Sequence, residues 1–136
     1  MMKKLLTVTA IFESLTGLNL IVAPSLLASL IFGSSLDTPA SVMVGRVAGA
    51  ALLSLGIACW AVRMDSQGKA ARGFVGAMLF YNIAVILLLV YSLMESVGTG
   101  VAFYPVIIVH AMLAIWCIWC LRYAAQSSKG GNENTK

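Results

Sequence analysis

Glu13, Arg46 and His110 are the side chains, cysteine and tyrosine apart, that place an ionisable group inside a long apolar run of this sequence. An acid and an imidazole in apolar surroundings can do two things. They can bind and release a proton or a cation, or they can hydrogen-bond each other as glue between segments. Depth arithmetic brings them to one level. At 1.5 Å per helical residue, Glu13 lies about 12 Å from the start of its run, Asn82 about 14 Å and His110 about 16 Å from the same membrane face. The midplane of a hydrocarbon layer lies at roughly 15 Å. Glu13, Asn82 and His110 therefore form the candidate binding layer. Glu13 and His110 are expected to meet, because the first and last segments of an up-and-down bundle are neighbours. Thr9, Glu13, Thr16 and Gly17 share one small, polar face, which points that face inward.

Other residues carry weaker chemistry. Cys117 and Cys120 have the C-x-x-C spacing of a dithiol or a half metal site, and Cys59 lies at similar depth. All three fall in apolar runs, where cysteine acts as a small hydrophobe. With His110 about 10 Å along the axis from Cys117, no metal and no cofactor are expected. Ser54 can bond back to its own helix. Arg46 lies about 6 Å below the outer boundary and is expected to snorkel outward or to pair with Asp37. Gly45, Gly49 and Gly56 lie on one helical stripe. Small residues there let helices approach closely, within the bundle or between two copies.

The elements that must position these groups follow from composition. The chain has 136 residues, is 60% hydrophobic and 10% charged, and carries a net charge of +4. Ordinary soluble domains are about 45–50% apolar and about 25% charged, so this excess belongs in lipid. Four apolar runs are long enough to span: Leu5 to Ala23, Val42 to Val62, Gly73 to Leu93 and Val101 to Leu121. In hydrocarbon each must be a helix. The fold class expected is an all-α, four-helix transmembrane bundle over 1–123, followed by a disordered tail at 124–136. Pro24 ends the first helix. Residues 25–32 read either as a short helix at the outer surface or as a kinked extension of the first span. Thr38 or Ser41 is the expected N-cap of the second span. The start, Met1 to Leu6, is read as a retained helix and not a leader, because Glu13 interrupts the run and no cleavage site follows.

Basic residues fix the orientation. Lys3 and Lys4, then Arg63, Lys69 and Arg72, then Arg122, Lys129 and Lys136 all fall on one side of four alternating helices, while the other loops carry Asp37 and Glu95. That side is the cytoplasm, so both termini are cytoplasmic. Trp60, Trp116, Trp119 and Tyr123 are expected at the inner boundary and Tyr91, Phe103 and Tyr104 at the outer one. The charge belongs to membrane orientation and not to nucleic acid.

The first helix ending at a proline, together with Gly45-Arg46-Val47-Ala48-Gly49-Ala50 opening the second, resembles small uncharacterised bacterial four-helix membrane proteins. The likeness covers most of the chain in layout and implies a bacterial inner membrane. Size, helix number and Glu13 are similar to the small multidrug resistance transporters, which implies proton and cation binding at Glu13; their aromatic binding positions have no match here. The fourth-helix cysteine pair is similar to that of vitamin K epoxide reductase. The outer-loop pair of that family is missing, and its fourth-helix pair faces the other side. The expected function is a non-enzymatic accessory or helix-packing subunit, with the bilayer and another membrane protein or a second copy as partners. The alternative is a small proton-coupled transporter or binding protein using Glu13 and His110. An intramembrane thiol oxidoreductase comes last.

Overall fold

The computed structural model describes the backbone of residues 1–133 and the side chains of residues 1–126. The described chain is all helical: α1 (Met2–Val22), α2 (Pro24–Phe32), α3 (Pro39–Val62), α4 (Lys69–Met94) and α5 (Phe103–Glu133), with a 3₁₀ turn at Arg63–Asp65. Four of them, Met2–Val22, Pro39–Asp65, Lys69–Met94 and Phe103–Gln126, are long and apolar enough to cross a membrane. Their outer faces carry large hydrophobic residues such as Phe80, Leu88 and Ile115, at 76%, 66% and 64% exposure. An apolar surface of this extent on every long helix is a lipid-facing surface, so the chain is a multi-pass membrane protein.

Local sequence sets the helix ends. Ala23 leaves the helical region at φ −137°, ψ 61°, its N–H still bonded to Asn19 O at 2.7 Å. Pro24, which has no N–H to donate, then starts α2. Residues 25–32 thus form a separate helix. Gly33 closes it in the left-handed conformation at φ 76°. Thr38 caps α3 in a reciprocal box: its hydroxyl accepts from Ser41 N–H at 3.1 Å, and the Ser41 hydroxyl accepts from Thr38 N–H at 3.2 Å. α5 continues past the expected boundary at Leu121, so its backbone is helical through Glu133, in the segment expected to be a disordered tail. Residues 134–136 of that tail lie outside the described residues.

The helices pack as two antiparallel hairpins, α1 with α3 and α4 with α5, which touch each other sparsely. Small residues draw the first hairpin together. A β-carbon on Gly17 would stand 2.6 Å from Gly49 O, and one on Gly49 would stand 2.7 Å from Gly17 O. Gly56 faces Ser14 and Ala10 of α1 in the same way, and Gly45 faces Pro24. The glycine stripe of α3 is therefore occupied within the bundle.

The two hairpins join at the end that carries the basic residues. There Met2, Leu5, Leu6 and Ala10 of α1 share one apolar cluster with Cys59 of α3, Ala71, Val75 and Met78 of α4, and Leu113, Cys117 and Cys120 of α5. The buried positions of α1 recur at helical spacing: 2, 5, 6, 9, 10, 13 and 17. At this end the Arg63 guanidinium lies 3.3 Å above the Trp60 ring. Trp119, Tyr123, Tyr91 and Tyr104 are exposed, but Phe103, expected at the outer boundary, is fully buried against Tyr104. It opens α5 beneath α2, where the chain turns inward.

At the opposite end α2 lies across both hairpins. Gly100 N–H donates to Ile31 O at 2.7 Å and Ala102 N–H to Leu30 O at 2.8 Å. These bonds tie the start of α5 to α2 at the end away from the apolar cluster.

Candidate functional site

At the end away from the apolar cluster a half-open cavity of about 710 Å³ lies between the hairpins. α1 contributes Phe12, Glu13, Thr16 and Leu20; α3 contributes Ser41, Val44, Gly45 and Leu52; Tyr81, Val85 and Leu89 come from α4, and Val106 and His110 from α5. Pro24, Leu27, Ala28 and Ile31 of α2 form its roof. The wall is almost wholly apolar. Where the cavity meets the packed core it is lined by the Glu13 carboxyl, the Tyr81 ring and the His110 imidazole; Thr16 and Ser41 add hydroxyls elsewhere in the wall. Cavities of about 300–1,000 Å³ with apolar walls and a few convergent polar groups are the form small-molecule sites take.

Glu13 is 1% exposed, and neither carboxyl oxygen has a hydrogen-bond partner. This is unusual, because buried polar groups are nearly always paired. No hydrogen bond joins Glu13 to His110 among the described residues. The partner of His110 is Asn82: the imidazole Nδ1 stands 2.8 Å from Asn82 Oδ1. Asn82, 1% exposed, donates its amide N–H to Met78 O at 2.6 Å, one turn back along α4. The His110 ring is wedged edge-on between Phe12, at 6.1 Å and 83°, and Tyr81, at 5.8 Å and 76°. The structure thus places Glu13 and His110 on one cavity and Asn82 behind His110. The polar contact across helices runs between α4 and α5, within a hairpin.

Tyr81 and Phe12 belong to the site although neither stood out in the sequence. Tyr81 adjoins Asn82 at the same depth, and that adjacency was the available signal. The remaining candidates lie elsewhere. The Ser54 hydroxyl bonds Ala50 O at 2.8 Å on its own helix. Arg46 is exposed, and Asp37 accepts from the Ser35 hydroxyl at 2.9 Å in place of pairing with it. Cys59, Cys117 and Cys120 are free thiols buried in the apolar cluster, and none of them lines the cavity. Comparison with protein-family models, curated proteins and solved structures finds no match for this chain.

Proposed function

We propose that this protein is a non-enzymatic membrane binding protein, acting as a small proton-coupled carrier, that takes an amphiphilic molecule into the cavity between its hairpins. The observation that supports this most is the Glu13 carboxyl, buried in the cavity wall with no partner on either oxygen. Structural glue needs a partner. A buried carboxyl with neither oxygen paired is open to a partner from outside the chain. The apolar wall suits the body of the ligand, and Glu13 its polar end.

A carboxyl in such a wall is tolerable only in a net-neutral state: as the acid when alone, or as the carboxylate when a cation lies beside it. Taking up a cation therefore releases a proton. The other titratable groups around Glu13 are Cys59 on α3, Tyr81 on α4 and His110 on α5; α2 contributes none. In a bacterial inner membrane with cytoplasmic termini, the roof formed by α2 lies toward the outer face. The glycines of α3, whose other reading was a seam between two copies, face α1 and Pro24.

Native mass spectrometry of the protein released from bacterial membranes tests the proposal without knowledge of the ligand. Wild type should carry a small-molecule adduct that is depleted in Glu13→Gln and in Ala28→Trp, which fills the cavity from its roof. An adduct retained equally by both variants would place the ligand elsewhere.

A further inference from the structure

The hydrogen-bonding polarity of the cavity floor defines the head group it selects. Asn82 donates its N–H to the Met78 carbonyl, an oxygen that can only accept, so the Asn82 atom facing His110 is the oxygen. The His110 nitrogen 2.8 Å from it must then carry the hydrogen. In a neutral imidazole this fixes the tautomer and leaves Nε2 as a lone-pair acceptor. Among the described residues the hydrogen bond of the His110 ring runs through Nδ1, and neither Glu13 oxygen has a partner. No lysine or arginine lines the cavity. The floor thus offers acceptors on Glu13 and His110 beside the hydroxyls of Thr16 and Tyr81, which can donate or accept, and it offers no fixed cation to an anion.

We infer that the ligand is an apolar molecule ending in a primary or secondary amine, held as the ammonium by Glu13 and by Nε2 of His110. This inference rests on the binding function proposed above. A neutral amine arriving from the bilayer takes the Glu13 proton. The nitrogen lone pair forms the new N–H bond, the carboxyl O–H bond breaks, and a carboxylate–ammonium pair with no net charge remains. The N–H bonds of the ammonium then have acceptors on both α1 and α5. A quaternary ammonium has the charge and the apolar body but no N–H to give. Asn82 is a positioning residue in this scheme, acting through the tautomer of His110.

The test compares chain-matched probes, octylamine, octyltrimethylammonium and octanol, by equilibrium dialysis against the protein in nanodiscs, with protein-free nanodiscs subtracted. Hydrogen bonds to charged groups predict that octylamine binds at least about tenfold more tightly than octyltrimethylammonium. In His110→Phe and in Asn82→Leu that ratio should fall toward parity. A purely structural role for Asn82 would lower both affinities together, and His110→Phe gives the same reading should Asn82→Leu fail to fold. Equal affinity of wild type for the amine and the quaternary ion, or for the amine and octanol, would overturn the inference and leave the binding function standing. If none of the probes binds above the protein-free discs, the binding function falls with it.

Discussion

Replacing Glu13 with leucine should make this protein more stable while abolishing its binding function. The carboxyl is 1% exposed and both oxygens are unpartnered. Leaving a buried polar group unsatisfied costs about 1–3 kcal/mol. In an unfolded chain dispersed in detergent the same group can reach water, so the penalty falls on the folded state. Leucine removes it and adds apolar contact with Phe12 and the cavity wall. Glu13→Leu is therefore expected to raise the unfolding free energy by about 1–3 kcal/mol, or roughly 5–150-fold in the folding equilibrium. Glu13→Gln leaves an unsatisfied amide in the same place and should remain close to wild type. Unfolding by SDS in mixed micelles, followed by circular dichroism, measures both. If Glu13 were interhelical glue, leucine would lower stability by about 0.6–2 kcal/mol. A Glu13→Leu variant less stable than wild type would refute the reasoning by its sign alone.

Three further outcomes follow from the packing and the topology. Gly49→Ala would put a methyl group 2.7 Å from Gly17 O and 2.8 Å from Ile21 N, both backbone atoms, so α1 and α3 must separate by about 0.7 Å to restore a 3.4 Å contact. Overpacking of this kind costs about 1–3 kcal/mol, measurable in the same SDS titration; unchanged stability would contradict the close α1–α3 approach. Thr38→Ala removes the acceptor of the α3 capping box and should destabilise by about 0.5–2 kcal/mol, with Thr38→Asn near neutral. Cytoplasmic reporters fused after Arg72 or Lys136 should be active and periplasmic reporters only near Asp37 or Gly98; periplasmic activity after Arg72 would overturn the orientation.

The sequence made the spans legible because lipid permits few solutions: a long apolar run must be a helix, and basic loops reveal which ends lie together. The cap of α3 was legible to within two candidates, Thr38 and Ser41, because capping residues are a local signal, and the structure makes Thr38 the cap with Ser41 at N3. The role of α2 was not legible. A proline followed by an apolar stretch reads the same for a surface helix and for a bent extension, and only the backbone bonds from Gly100 and Ala102 to α2 distinguish a roof from either. The site was half legible. Depth arithmetic brought Glu13, Asn82 and His110 to one level, but it gives height and not the rotation of each helix. His110 therefore turned out to pair with Asn82, its neighbour in the α4–α5 hairpin, and Glu13 to stand alone. The cavity itself arises from long-range packing, tight at the basic end and roofed by α2 at the other, which no local pattern encodes.

Labelling of Glu13 by a lipid-soluble carbodiimide tests the central claim most directly. Such a reagent adds to an uncharged carboxyl group that it can reach from an apolar phase, and intact-protein mass spectrometry followed by peptide mapping locates the adduct. An unpaired Glu13 in the wall of an apolar cavity should form an adduct that is absent from Glu13→Gln. Octylamine, occupying the cavity, should slow its formation. Equal labelling of wild type and Glu13→Gln, or a bound amphiphile that leaves the rate at Glu13 unchanged, would contradict the account.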